Sequence, residues 1–137
     1  MMKYVDINRG ENVTLVEFEA LCAAKLGMTA DYPGKGETVW MKVGGKMFAM
    51  TNVKLMMMDG AQVAPFHFVN LKCDPDRSEM LRATHKDIRP AWHQNKTHWN
   101  SLYMNGDVDD ELICELTSHS YDLALQSLPK KAQEQLA

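Results

Sequence analysis

The segment DIRPAWHQNKTHWNSLY, Asp87 to Tyr103, concentrates the reactive and recognising groups of this chain. Arg89 and Lys96 carry positive charge. His93 and His98 donate or accept according to protonation, and Asn95 and Asn100 do both at once. Trp92, Trp99 and Tyr103 present polar edges on large apolar bodies. Cations interleaved with indoles suit a partner that offers phosphates to pair and bases to stack on. Lys42, Lys46 and Lys72, placed on or beside neighbouring strands and turns, extend the candidate set. The full set is Lys42, Lys46, Lys72, Arg89, Trp92, His93, Asn95, Lys96, His98 and Trp99. Its expected partner is DNA or another polyanion. Arg89, Lys96 and His98 would contact phosphate, and Trp92 or Trp99 would stack.

The same residues have a purely structural account. Lysines at strand ends are often solvated, and tryptophans often belong to cores. In an antiparallel pair Trp99 would pack inward while His98 and Asn100 point out, and Asn95 would close an Asx-turn. Tyr121 and Asp122 would bond to the sheet.

Other chemistries find less support. His93 and His98 are five apart, and His67, His85 and His119 are scattered. No cysteine pair accompanies them and no spacing sets two imidazoles on one helical face, so no metal is expected. Asp31, His93, Asn95, His98 and Tyr103 would suit a polar pocket. No nucleophile–base pair, G-x-S-x-G elbow or phosphate-cradling glycine loop joins them. Neither an enzyme nor a cofactor is expected.

Charge and composition narrow the setting. The 137 residues carry a net charge of −3, unlike the strongly basic balance of typical nucleic-acid binders. The charge is polarised, however. Arg77 to His98 sets Arg77, Arg82, Lys86, Arg89 and Lys96 against Glu79 and Asp87, a net +3. Asn105 to Ala137 sets Lys130 and Lys131 against seven acids, a net −5. Such a surface can meet an anion on one face. No apolar run approaches the roughly 20 residues of a membrane span, and the leader MMKYVDINRGENV lacks an apolar signal core. Cys22, Cys73 and Cys114 are an odd number without a CxxC pair, as suits free thiols in a reducing cytoplasm. The consecutive Met56, Met57 and Met58 cannot all face a core, which leaves protein contact or self-association as a second class of role.

One domain must position these groups. Thr14 and Glu17 form a capping box before an apolar-periodic run, which predicts a helix over Leu15 to Leu26 closed by Gly27. Asp31 to Gly36 reads as a loop. Thr38–Val43 and Lys46–Thr51 flank Gly44-Gly45, a tight hairpin. Asn52 to Pro65 reads as a short extra hairpin or loop. Phe66 to Lys72 alternates as a third strand, with Val69 and Leu71 inside and His67 near the same face. Asp74 and Pro75 open a short helix to about Ala83. Ile88–Trp92 and His98–Met104 are two more strands, and Asn105-Gly106-Asp107 turns into a long helix that begins with Asp109-Asp110-Glu111 and runs to about Ser127. Pro129 breaks it before a basic terminal turn. The order α-β-β-β-α-β-β-α gives a two-layer α+β domain over residues 1–137, a mainly antiparallel five-stranded sheet with helices on one side.

The blocks KVGGKMFA, FVNLKCDP, IRPAWHQNKTHWN, GDVDDEL and HSYDL with LPKK resemble, in order and spacing, the MmcQ/YjbR family. The resemblance runs from about Leu15 to the C-terminus. It implies a compact α+β domain similar in topology to type III secretion chaperones. It also brings that family's common DNA-binding label, which rests on a proposed double-wing arrangement. The hairpin at Gly44-Gly45 and the turn at Gln94-Asn95-Lys96 would be the wings. The chaperone-like topology equally implies a protein-interaction module, with a homodimer or a bound peptide.

Overall fold

A computed structural model describes residues 15–32, 38–52, 68–91, 94–103 and 108–136. The Thr14 cap, the Asn52–Pro65 segment beyond Asn52, the Met56–Met58 run, His67, Trp92, His93 and the Asn105–Asp107 turn lie outside them.

Among the described residues, four helices and six strands follow one another: α1 (Leu15–Ala23), β1 (Met28–Asp31), β2 (Thr38–Val43), β3 (Lys46–Asn52), β4 (Phe68–Lys72), α2 (Pro75–Thr84), β5 (Ile88–Pro90), β6 (Trp99–Tyr103), α3 (Asp110–Gln126) and α4 (Lys130–Glu134). Every strand pair is antiparallel, in the order β1-β2-β3-β4-β6-β5. The short edge strand β1 falls where the sequence reads as loop. Its four residues are exposed or half-buried, so they carry no alternating apolar signal, and only pairing with β2 reveals the strand.

Local chemistry sets the element ends. Gly44 (φ 56°) and Gly45 (φ 82°) take the left-handed conformations of the two-residue hairpin turn. Asp74 accepts from the backbone N–H groups of Asp76 and Arg77, and Asp109 from that of Leu112, which caps α2 and α3. The α1 helix ends at Ala23, earlier than its apolar periodicity suggests, and Gly27 (φ 75°) turns the chain into β1.

Helices α1, α2 and α3 share one face of the sheet. Phe18 and Cys22 of α1, Leu81 of α2, and Ile113, Leu116, Tyr121 and Ala124 of α3 pack with Val39, Met41, Val43, Ala49, Val69, Leu71, Ile88 and Leu102. Val69 and Leu71 face this core, as their alternation predicts. A bulge lies between Met41 and Lys42, opposite Phe48. The Phe48 ring meets Tyr121 edge-on at 5.3 Å between centroids. Beside the bulge, the buried Ser120 hydroxyl donates to Phe48 O and accepts from the Lys72 N–H at 2.8 Å. A helix residue thus supplies the link that the β3–β4 ladder lacks there. The Tyr121 hydroxyl donates to Leu26 O, so it ties the end of α1 to α3 rather than bonding to the sheet.

Candidate functional site

Cross-strand register decides which candidate side chains are neighbours, because directly paired residues point to one side of a sheet. Trp40, Met50, Asn70, Ser101 and Arg89 form one row across β2, β3, β4, β6 and β5. Nearer the hairpin, Lys42 pairs with Met47 and Lys72 pairs with Trp99. Both sets face away from the helices, since their neighbours in sequence, Val39, Met41, Val69, Leu71 and Leu102, form the helix-side core. Lys42, Lys72, Arg89 and Trp99 therefore share one wall with Trp40.

Cations lie against aromatic rings on this wall. The Lys42 ammonium sits 5.5 Å from the centroid of the Trp40 ring and 2.8 Å from Asp31 Oδ2. The Arg89 guanidinium lies 4.7 Å from the Tyr103 ring, and Asp87 approaches it at 3.5 Å. Trp40 and Trp99 are half-buried, so each keeps part of its indole in solvent.

The middle of the wall is sealed and polar. Asn70 and Ser101 are fully buried, and the Ser101 hydroxyl donates to Asn70 Oδ1. Asn70 Nδ2 donates to Gln94 Oε1 at 2.8 Å, and Gln94 Nε2 reaches Met47 Sδ at 3.2 Å. Gln94 therefore roofs β3 and β4. Sequence reading missed this group, because an asparagine, a serine and a glutamine on separate segments carry no common spacing.

Four candidates leave the wall. Asn95 is taken up by its own turn: its Oδ1 accepts from the Thr97 and His98 N–H groups, an Asx-turn that shapes the approach to β6. Lys96 Nζ donates to Ala91 O at 3.1 Å, inside the same turn. Lys46 is exposed but pairs with Val43, which faces the helices. His98 is exposed just before β6, and its carbonyl accepts from the Cys73 N–H. Trp92 and His93 lie outside the described residues.

Trp99 and Asn100 occupy the reverse of the sides that the purely structural account gives them. Asn100 is buried toward α2, where its Nδ2 donates to Ser78 Oγ at 3.2 Å and its Oδ1 accepts from Arg82 Nε at 2.7 Å. The Arg82 guanidinium also donates to Trp99 O at 3.1 Å and to Lys96 O. A buried carboxamide facing a helix is stable because an arginine and a serine satisfy it. Trp99 is left for the other side. Arg82 thus serves the fold, although it contributes to the basic balance of its segment.

The thiols are poor nucleophiles. Burial pushes the Cys22, Cys73 and Cys114 thiols above their ordinary value. Among the described residues, no three His, Cys, Asp or Glu side chains gather as a metal site, and no helix is long and apolar enough to cross a membrane.

An antiparallel sheet with α1, α2 and α3 on one face and a cation–indole wall on the other describes a small α+β domain, and comparison with known proteins gives it a family. The YjbR family model matches residues 23–123, and the chain belongs to the YjbR family. It is 32% identical over 124 residues to the uncharacterised protein YjbR of Escherichia coli K12, covering 90% of this chain and 98% of that one. It is 30% identical over 95 residues to the uncharacterised protein YbdF of Escherichia coli O157:H7, covering 69% of this chain and 70% of that one. The crystal structure of Deinococcus radiodurans protein DR2400, a DUF419 domain, superposes with a TM-score of 0.76 at 31% identity, over 88% of this chain and 86% of that one. A Pseudomonas syringae protein of 22% identity shares the fold with a TM-score of 0.65, over 81% of this chain and 98% of that one.

Proposed function

We propose that the wall opposite α1, α2 and α3 binds a polyanion, with single-stranded nucleic acid as the form its partly exposed indoles favour. One observation carries the reading: β-register sets Lys42, Lys72, Arg89, Trp40 and Trp99, drawn from four strands, on one side of the sheet. Strands lie about 4.8 Å apart, so Lys42 and Trp99 are roughly 14 Å from each other across the wall. That reach suits a few nucleotides lying across the strands. Lys72 and Arg89 pair with phosphate, and Trp99 offers a face for stacking. The buried Asn70–Ser101 pair, bonded to the half-buried Gln94, keeps the wall rigid instead of touching the ligand.

The protein-contact reading has less to stand on among the described residues. Leu26, Tyr32 and Met80, their exposed large apolar side chains, sit in the turn after α1, just beyond β1 and on α2. Residues 1–137 as one unit in the cytoplasm remain part of the proposal.

Fluorescence anisotropy with a labelled single-stranded oligonucleotide tests it. We expect micromolar binding at low salt that weakens steeply as salt rises, because each phosphate contact releases counterions. Lys72→Glu and Trp99→Ala each weaken it several-fold. Absence of binding at low salt, or affinity indifferent to salt, removes the proposal.

A further inference from the structure

The cations of the described residues divide into two groups. Most are engaged: Lys25 with Ser118, Lys42 with Asp31, Arg77 with Glu115, Arg82 with Asn100, Arg89 with Asp87, and Lys96 with Ala91. Lys86 is engaged as well. Among the described residues, the ammonium groups of Lys46, Lys72, Lys130 and Lys131 have no hydrogen-bond or ion-pair partner, and Lys46, Lys130 and Lys131 are exposed.

These four are not scattered. Gly44, at the tip of the β2–β3 hairpin, packs on Leu128: a Cβ placed there would lie 2.5 Å from Leu128 Cδ1. Lys46 follows Gly44 by two residues, and Lys130 and Lys131 follow Leu128 by two and three. At up to about 3.5 Å per residue, the three backbones gather within roughly 20 Å around one contact. Lys72 ends β4 beside the same end of β3, where Ser120 bridges it to Phe48. Glu134 is the acid on α4, three and four residues from Lys131 and Lys130. The free positive charge is thus drawn to one end of the sheet, in a chain whose net charge is −3.

We propose that Lys46, Lys130 and Lys131 form a second phosphate-contacting surface, around the hairpin tip from the wall, which engages the nucleic-acid backbone after it leaves Lys72 and Trp99. The inference rests on the polyanion reading of the wall. Charge complementarity and continuity support it: unpaired cations await anions, and Lys72 belongs to both the wall and this end. The hairpin tip acts as an edge over which a longer strand bends. A shorter strand reaches the wall alone.

The test compares single-stranded oligonucleotides of about 4 and about 20 nucleotides, spanning the ordinary range of single-strand site sizes and beyond. The variant is K46A/K130A/K131A, with K46R/K130R/K131R as control and urea unfolding to confirm that both are folded. For the longer strand, three lost contacts at about 0.7 each lower the slope of log K against log salt by about 2. The arginine variant keeps the wild-type slope, and the short strand responds alike to all three proteins. Unchanged slopes for the longer strand overturn this second surface and leave the wall standing. Failure of the wild type to bind either strand overturns both. An equal loss on both strands also overturns it, because the lysines would then act within the wall.

Discussion

Arg82 Nε donates to Asn100 Oδ1 at 2.7 Å, and this contact fastens helix α2 to the start of strand β6. The same guanidinium holds Trp99 O and Lys96 O, so one side chain sets both the Asn95–His98 turn and the side on which Trp99 emerges. Without it, a buried carboxamide and two carbonyls lose a charged donor. Hydrogen bonds of that kind contribute about 1.5–3 kcal/mol each, with much overlap within one network. Arg82→Ala is expected to lower unfolding free energy by about 2–4 kcal/mol in urea denaturation. In nucleic-acid binding it lowers affinity while the salt slope stays at the wild-type value, because no phosphate contact is lost. A slope lowered by one contact would show instead that Arg82 touches the ligand.

Ser120 bridges Phe48 O and the Lys72 N–H at the bulge. Ser120→Ala leaves both backbone groups buried without a partner. We expect a loss of about 1–3 kcal/mol, and faster amide exchange at Lys72 by hydrogen-exchange NMR. Unaltered protection at Lys72 would mean that the strands close on each other without the hydroxyl.

The two hairpin glycines differ in their surroundings. Both have positive φ, which costs an alanine about 1–2 kcal/mol. A Cβ on Gly45 meets open space, whereas one on Gly44 meets Leu128. Gly44→Ala should therefore destabilise by about 1–3 kcal/mol more than Gly45→Ala. Leu128→Ala should abolish most of that difference in a double-mutant cycle. Equal thermal midpoints for the two glycine variants would contradict the packing of the tip on Leu128.

The thiols predict how stability responds to alkali. An unfolded cysteine loses its proton near pH 8.5, while burial holds Cys22, Cys73 and Cys114 protonated to higher pH in the folded chain. Burial raises the Tyr121 phenol in the same sense. With folded pKa values above unfolded ones, this contribution is complete below about pH 8.5 and is lost as pH climbs toward the folded values. Urea midpoints at about pH 10 should lie below those at about pH 7.5. Mass-spectrometric alkylation should leave Cys22 unmodified in the folded protein and modify it after unfolding. Rapid labelling of native Cys22 would show that the core opens.

Much of the architecture is written locally. Asp74 and Asp109 cap helices within three residues of themselves, Gly44-Gly45 sets the hairpin, and the alternation in Thr38–Val43 marks its buried side. Asn95 closes its own Asx-turn. Such bonds join near neighbours, so composition and spacing suffice to read them. The family likeness is equally legible, as long blocks of residues in order.

The faces were decided elsewhere. In β4 the alternation marks Val69 and Leu71 for the helix side, but it does not reveal that Phe68 and Asn70 on the other side are buried as well. Trp99 reached the wall because Arg82 and Ser78, from helix α2, satisfy Asn100 on the opposite side. Lys46 left the wall through its pairing with Val43, and the Asn95 and Lys96 side chains were drawn into their own turn. Sequence alone supplied the inventory of cations and indoles. Contacts between segments tens of residues apart determined which charges are neutralised and which remain free, because desolvation and pairing depend on partners that only the folded chain brings within reach.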